Sequence, residues 1–86
     1  MIRIKITDTL DLHGFDPHEL PMLLEDYIEE CLKRGFRQVR IIHGKGKGIL
    51  RERVHSLLRR NPHVTEFLLA PPHNGGWGAT IVYLQR

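Results

Sequence analysis

The stretch RIIHGKGKGIL, residues 40–50, is the part of the sequence that most directly indicates the fold. A β-branched run ends in a histidine, three glycines then alternate with two lysines, and apolar residues resume at once. This order predicts a strand that passes through a short loop into the start of a helix. Glycine loses more conformational entropy on folding than any other residue, so three of them close together need a compensating role.

The glycine loop matches neither common nucleotide-binding fingerprint. A dinucleotide-binding G-x-G-x-x-G motif would place its third glycine at position 49, which is Ile49. A P-loop has four residues between its outer glycines, whereas Gly44 and Gly48 enclose three. What remains is a helix start that attracts an anion, or else a tight turn with solvated lysines. The residues expected to bind phosphate are Gly44, Lys45, Gly46, Lys47, Gly48 and Arg51.

The flanking residues predict four strands and two helices. Residues 2–12 alternate apolar and polar side chains, which is typical of a half-buried strand or of two collinear pieces with a weak point at Asp8. Residues 16–19 form a helix start with capping-box spacing, and the helix itself is expected from about Leu20 to a glycine cap at Gly35. The remaining predictions are a strand at residues 36–43, a helix from Leu50 to about Asn61, and strands at residues 64–69 and 79–84.

The order β-α-β-α-β-β predicts an α/β fold. We expect a two-layer sandwich, with a four-stranded mixed sheet and both helices on one face. At 86 residues, the chain (residues 1–86) has room for a single domain. Ligands of open α/β sheets bind beyond the carboxyl ends of the strands, and these ends carry His13 and His43, each followed by a glycine.

The composition is that of an ordinary globular protein, with 41% hydrophobic and 27% charged residues. No apolar run approaches the roughly 20 residues of a membrane span. The N-terminal stretch MIRIKITDTL lacks the apolar block of a signal peptide. The single cysteine, Cys31, excludes an intramolecular disulfide and favours a reducing compartment. We therefore expect a cytoplasmic protein with no membrane partner.

The net charge of +3 conceals a strong polarity along the chain. Residues 8–32 carry eight acidic side chains and no lysine or arginine, whereas residues 33–60 carry ten basic side chains and one acidic one. Attraction between the two segments within one domain is one reason for such a pattern. A basic segment also suits a polyanionic partner such as nucleic acid.

Two of the six histidines stand at positions suited to catalysis. His13 and His43 each end a predicted strand, so parallel strands would bring both to one edge of the sheet. Two imidazoles beside an anion site can remove and donate protons in phosphodiester chemistry, and Asp11 could orient one of them or help to bind a divalent ion. The alternative is that each is a strand-end residue hydrogen-bonded to the backbone. Surface positions are expected for the other four, His18, His55, His63 and His73.

Three separate motifs resemble the Smr, or small MutS-related, domain family. They are LDLHG at residues 10–14, HGKGKGILR at residues 43–51 and GGWGATIVYL at residues 75–84, in the order and spacing of the family. The resemblance leaves residues 1–9 outside the motifs and suggests the short, free-standing form of the domain. It implies the same β-α-β-α-β-β sandwich, similar to the C-terminal half of bacterial translation initiation factor three.

The resemblance also implies binding to DNA or RNA, and cleavage of it, since several members of the family are endonucleases. It ties the first motif to cleavage, through Asp11, Leu12 and His13. It ties the second motif, from His43 to Gly48, to nucleic-acid contact and catalysis. The third-motif residues are expected to line the same crevice as the first two motifs: Gly75, Gly76, Trp77 and Gly78. Within this crevice, Trp77 either stacks on a base or packs against the protein.

Together these features predict a nucleic-acid endonuclease. His13 and His43 share the acid and base roles, and Asp11 orients a histidine or a water. A divalent cation such as Mg²⁺ could assist, although the sequence offers too few clear ligands to require one. The alternative is a non-catalytic module that binds branched DNA or structured RNA through its basic loop. Binding of a free nucleotide is a third hypothesis, and it is disfavoured because the loop matches neither nucleotide-binding fingerprint.

Overall fold

The computed structural model describes residues 6–86, which form four strands and two α-helices. The strands are β1 (Thr9–Asp11), β2 (Gln38–Ile42), β3 (Val64–Leu69) and β4 (Ala79–Leu84), and the helices are α1 (Leu20–Lys33) and α2 (Ile49–Arg60). Their order is the predicted one, and β3 and β4 have the predicted bounds. No helix within residues 6–86 is long and apolar enough to cross a membrane.

The strands form one mixed sheet in the order β1-β2-β4-β3. β1 and β2 are parallel, with Asp11 opposite Ile42, whereas β4 runs antiparallel to both β2 and β3. Because β1 and β2 are parallel, their carboxyl ends meet at one edge of the sheet. Ile42 also pairs with Ala79, the first residue of β4. Three segments of the chain therefore converge on this edge.

Both helices pack on one face of the sheet, as predicted. The main core joins Tyr27 of α1 and Val54 of α2 to Ile41 and Val82 of the sheet, and all four side chains are fully buried. Burial of an apolar side chain of this size contributes roughly 1.5–3 kcal/mol. The opposite face carries a smaller cluster around Ile81. The result is the expected two-layer sandwich.

A capped 3-10 turn precedes α1, and a glycine follows its end. The Asp16 carboxylate accepts from the His18 N–H at 2.8 Å, and the Glu19 carboxylate accepts from the Asp16 N–H at 3.1 Å. This reciprocal capping box closes a single 3-10 turn, after which Pro21 lies in the first turn of α1, where no helical hydrogen bond is lost. Beyond the helix, Gly35 has a φ of 81°, as a glycine cap requires.

The first strand begins at Thr9, next to the weak point predicted at Asp8. Of the strand or strand pieces predicted over residues 2–12, the described residues contain β1, which covers three residues, whereas residues 1–5 lie outside the described part of the chain. The hydroxyl of Thr7 donates to the Thr9 carbonyl and accepts from the Thr9 N–H. These bonds use the polar groups of Thr9, whereas pairing with β2 uses those of its neighbours, since the Arg40 N–H donates to the Asp8 carbonyl and the Leu12 N–H donates to the Ile42 carbonyl. The predicted alternation holds within β1, where Leu10 is buried and the next residue is exposed.

Candidate functional site

Three segments meet at the edge formed by the ends of β1 and β2 and the start of β4. The N–H groups of His43 and Gly44 both donate to the carbonyl oxygen of Gly78, at 2.9 Å each. A side-chain carbon placed on Gly44 would lie 3.9 Å from Nε2 of His13. The predicted site residues lie in these segments, in the loops that adjoin them and in the first turn of α2: Asp11, His13, His43, Gly44, Lys45, Gly46, Lys47, Gly48, Arg51, Gly75, Gly76, Trp77 and Gly78.

His13 is held by Asp11, two residues earlier in the chain. One carboxylate oxygen of Asp11 accepts from the His13 N–H at 2.9 Å and lies 2.6 Å from His13 Nδ1. The backbone N–H of His13 is the main reason that the pKa of Asp11 is lowered, and the imidazole lowers it further. An ionised carboxylate can only accept a hydrogen bond. We therefore assign the proton of a neutral His13 to Nδ1 and the lone pair to Nε2.

The Asp11–His13 pair is open to solvent. The His13 side chain is 75% exposed and that of Asp11 is 55% exposed. Nε2 is the ring nitrogen closest to Gly44, the first glycine of the loop. An imidazole oriented by a carboxylate, with its lone pair accessible, has the arrangement that proton abstraction from a water or a hydroxyl requires.

The glycine loop presents cations on a backbone that requires glycine. Gly44 and Gly48 have φ values of 85° and 82°, a region that other residues rarely occupy. Lys45 and Lys47, which lie between them, are exposed. The Arg51 guanidinium lies over Gly48, 2.5 Å from the position that a side-chain carbon would take. Three cations therefore surround one short stretch of backbone.

The start of α2 adds backbone donors to these cations. The N-cap residue is Gly48, which has no side chain to accept from the N–H groups of the first turn. Residues 43–51 line a pocket of about 260 Å³ around this helix start, which has room for a phosphate group. Unpaired N–H groups and the helix dipole attract an anion to such a position. The loop therefore has the geometry of a phosphate site.

The third motif packs Gly78 against the glycine loop and leaves its tryptophan on the surface. A side-chain carbon on Gly78 would lie 3.4 Å from the Lys45 side chain, and one on Gly75 would lie 2.8 Å from Cβ of Ala79. Gly78 therefore lets the third motif approach the glycine loop, whereas Gly75 packs within its own segment and Gly76 has no neighbour within 4 Å. Trp77 is 69% exposed, so it is not a packing residue. Its indole is available to a ligand instead.

His43 is buried, in contrast to His13. It is 6% exposed, with Nδ1 2.9 Å from the Gly44 carbonyl oxygen and Nε2 2.8 Å from the Thr80 hydroxyl. Burial is the main reason that the pKa of His43 is lowered; Arg51 lowers it further, and the bond to the Gly44 carbonyl opposes both. His43 is therefore mostly neutral at pH 7, with both ring nitrogens engaged.

The sequence predicts His55 on the exposed face of α2, and this prediction is wrong. His55 is partly buried, its Nε2 lies 2.8 Å from the Thr80 hydroxyl, and its ring packs against Phe67 with 4.8 Å between centroids. Sequence reasoning also missed Thr80, although the alternation of β4 places this hydroxyl on the core-facing side together with Val82. The other three histidines, His18, His63 and His73, are exposed or partly exposed, as expected.

The described residues do not build a metal site on their own. Between residues 6 and 86, no three His, Cys, Asp or Glu side chains are grouped so that they could hold a metal ion. At the site Asp11 offers one carboxylate, and one of its oxygens already bonds to His13 twice. Mg²⁺ usually takes one or two carboxylates together with waters and substrate phosphates. A role for Mg²⁺ stays a prediction.

Comparison with known proteins agrees with the fold and the motifs. Residues 10–85 match the model of the Smr domain. The crystal structure of the Smr domain of Thermus thermophilus MutS2 has a TM-score of 0.85 and 36% identity, over 93% of this chain and 100% of that one. YdaL from Escherichia coli, a stand-alone small MutS-related protein, has a TM-score of 0.84 and 33% identity, over 92% of this chain and 65% of that one.

The chain belongs to the Smr domain family, so the resemblance seen in its three motifs is confirmed. Among sequences, the endonuclease MutS2 of Halothermothrix orenii is 41% identical over 81 residues, which is 94% of this chain. The same match covers 10% of that MutS2, so the chain spans about a tenth of the length of such relatives.

Proposed function

We propose that the protein is an endonuclease that cleaves phosphodiester bonds in DNA or structured RNA. The observation that carries this proposal is an exposed, carboxylate-bound histidine beside a basic glycine loop. Nε2 of His13 is close to Gly44, so a base and an anion site share one surface. Binding alone requires only cations, whereas the Asp11–His13 pair adds a group that can move a proton.

The glycine loop would hold the phosphate that is cleaved. Lys45, Lys47 and Arg51 supply positive charge, and the first N–H groups of α2 supply backbone donors. Charge that builds up on the phosphate oxygens in the transition state is stabilised by donors that are already in place. The same cations account for sequence-independent affinity for a nucleic-acid backbone.

His13 would act as the general base. Its Nε2 takes a proton from a water, or from a 2′-hydroxyl of RNA, while that oxygen forms a bond to phosphorus. The P–O bond to the leaving oxygen breaks, and the leaving oxygen takes up a proton from the imidazolium or from solvent. Asp11 holds the imidazole in the required tautomer and stabilises the imidazolium, as carboxylates do in other histidine-based sites.

The family relationship supports the same chemistry. The MutS2 of Halothermothrix orenii is named an endonuclease, and this chain corresponds to about a tenth of it. The match to the Smr domain of Thermus thermophilus MutS2 covers all of that solved chain. The proposal assigns cleavage to this domain because the Asp11–His13 pair and the glycine loop both lie within it. DNA and RNA are the proposed partners, and the cytoplasm is the proposed location.

One observation favours the alternative, a module that binds branched DNA or structured RNA without cleaving it. Of the two histidines predicted to share acid and base roles, only His13 is open to a substrate, because His43 is buried with both nitrogens bonded. A module that reads shape and backbone requires the cations of the loop and no accessible base.

A cleavage assay on supercoiled plasmid and on a structured RNA tests the proposal. Wild type and His13→Ala are compared with Mg²⁺ and with EDTA. His18→Ala is a matched control, since His18 pairs with Asp16 in the same way but lies outside the three motifs. Cleavage by wild type and His18→Ala, but not by His13→Ala, supports the endonuclease and identifies its substrate and metal requirement. Salt-sensitive binding with no cleavage of either substrate favours the binding module.

A further inference from the structure

We infer that His55, Thr80 and His43 form a hydrogen-bonded relay that positions the glycine loop, and that His43 is a positioning residue rather than an acid or base. The relay runs from α2 through β4 to the end of β2, and it ends on the carbonyl of Gly44. The inference rests on the proposed function, because the loop that the relay positions is the proposed phosphate site.

The proton positions in the relay follow from its last acceptor. The Gly44 carbonyl can only accept, so Nδ1 of His43 carries the proton of that 2.9 Å bond. Nε2 of a neutral His43 then accepts from the Thr80 hydroxyl at 2.8 Å. The Thr80 oxygen has a single proton, which is now used, so it accepts from Nε2–H of His55 at 2.8 Å. The relay therefore assigns the Nδ1–H tautomer to His43 and the Nε2–H tautomer to His55.

The relay is built into the core of the protein. Thr80 is fully buried, and the His43 and His55 rings meet edge to face with 6.0 Å between centroids. The ring of Phe67 also packs against that of His55, at 4.8 Å between centroids. Buried polar groups strongly favour conformations that keep their hydrogen bonds, so each member of the relay restrains the next.

The relay holds Gly44, the residue of the glycine loop that lies beside the proposed base, His13. The N–H of Gly44 donates to Gly78 and its carbonyl accepts from His43, so both polar groups of this backbone unit are fixed. Gly44 is also the loop residue next to Nε2 of His13. A displacement here changes the distance between the base and a bound phosphate, and a shift of about 1 Å can reduce a rate on the order of 100-fold.

His43→Asn separates positioning from proton transfer. The asparagine amide can donate to the Gly44 carbonyl in place of Nδ1, but it does not titrate. If His43 positions the loop, His43→Asn keeps cleavage within about tenfold of wild type, whereas removal of a general acid or base costs about 10²–10⁴-fold. His43→Ala, which cannot hold Gly44, loses both cleavage and affinity. A loss of cleavage of about 100-fold or more in His43→Asn at unchanged affinity would overturn the inference.

Thr80 provides a matched pair of variants for the middle of the relay. Thr80→Val keeps the shape of the side chain and removes the hydroxyl, whereas Thr80→Ser keeps the hydroxyl. We expect Thr80→Val to weaken binding of an oligonucleotide about tenfold and to shift the amide resonance of Gly44, and Thr80→Ser to restore both. Equal effects of the two variants, or no effect of Thr80→Val, would contradict the relay.

Nitrogen-15 NMR of the histidine side chains tests the relay without any cleavage assay. At pH 7.5 we expect the Nδ1–H tautomer for His43 and the Nε2–H tautomer for His55. The Nε2–H tautomer for His43 would overturn the relay, even in an active enzyme. A protein that shows the expected tautomers but cleaves neither DNA nor RNA would refute the proposed function and leave the relay intact.

Discussion

The imidazole Nδ1 of His13 lies 2.6 Å from the carboxylate of Asp11, and both side chains are open to solvent at the edge of the sheet. His43, at the end of the neighbouring strand, has the same sequence context but is buried and bonded through both ring nitrogens. Burial therefore separates two histidines that the sequence presents as equivalent. The roles that we propose follow this separation: His13 meets the substrate, and His43 supports the loop.

The basic loop should determine the salt dependence of nucleic-acid binding. We expect the double substitution Lys45→Ala/Lys47→Ala to weaken binding of duplex DNA, and to reduce the slope of log K against log salt by about 0.9 for each phosphate that is no longer neutralised. Fluorescence anisotropy from 50 to 200 mM salt measures both effects. Lys33→Ala/Arg34→Ala, at the end of α1, removes the same charge far along the chain from the loop. An equal reduction of the slope in this control would argue against a phosphate site at the loop.

Trp77 should report nucleic-acid binding directly. It is the single tryptophan of the chain and is 69% exposed beside the third-motif glycines. Stacking of a base on an aromatic ring contributes about 1–3 kcal/mol, so Trp77→Leu should weaken binding of single-stranded oligonucleotides by roughly 5- to 150-fold. Titration of wild type should quench the tryptophan fluorescence. Unchanged fluorescence at saturating oligonucleotide, together with full affinity of Trp77→Leu, would exclude stacking.

Stability should decline as the pH falls below about 6.5. Burial is the main reason that the pKa values of His43 and His55 are lowered in the fold; the bond to the Gly44 carbonyl opposes the shift at His43. At His55 the neighbouring His43 lowers the pKa further, while Glu52 opposes the shift. The unfolded chain therefore binds protons more readily than the fold. The contribution of these two histidines to the free energy of unfolding is fully present above the unfolded pKa of about 6.5. It falls as the pH drops through that value towards the lowered pKa values of the fold.

Urea unfolding between pH 8 and pH 5 measures this dependence. The double variant His43→Asn/His55→Gln lacks both titrating groups and should show a flatter profile. The lowered pKa values of Asp11 and Asp16 affect the free energy of unfolding only at lower pH, because carboxyl groups titrate near 4 in the unfolded chain. A wild-type profile that is flat from pH 8 to pH 5 would contradict the prediction. A profile of the double variant that is as steep as that of wild type would also contradict it.

Gly75→Ala should destabilise the fold. Gly75 has a φ of 108°, and a side-chain carbon there would lie 2.8 Å from Cβ of Ala79. Backbone strain and crowding together predict a loss of about 2–4 kcal/mol in the free energy of unfolding. Gly76→Ala is the matched control: φ is 55° and nothing lies within 4 Å, so it should cost about 1–2 kcal/mol. Equal costs in urea unfolding would show that the contact with Ala79 is unimportant.

Much of the fold could be predicted because its signals are local. The capping box at Asp16 and Glu19, the glycine cap at Gly35 and the apolar run of β4 each lie within a few residues of the feature that they define. The shared edge of His13 and His43 also follows from parallel strands alone. The break that the sequence allows near Asp8 agrees with the start of β1 at Thr9, and residues 2–5 of the predicted strand lie outside the described residues.

The relay could not be predicted, because it depends on tertiary placement. His55 and Thr80 are 25 residues apart, and their contact exists only because α2 lies over β4. Helical spacing marks the apolar stripe of α2 through Val54 and Leu58, and His55 lies at the border of that stripe, where spacing alone does not decide burial. The buried state of His43 follows from the same packing.

The most direct test of the Asp11–His13 site is a paired measurement of single-turnover cleavage and affinity on one substrate. Wild type, His13→Ala and Asp11→Asn are compared at the same pH and salt. A general base contributes about 10²–10⁴-fold, so His13→Ala should lose that much in rate while its affinity stays within about twofold of wild type. Asp11→Asn should lose less, because it disturbs only the orientation of the imidazole. Affinity that falls in step with the rate, or cleavage that survives in His13→Ala, would contradict a chemical role for His13.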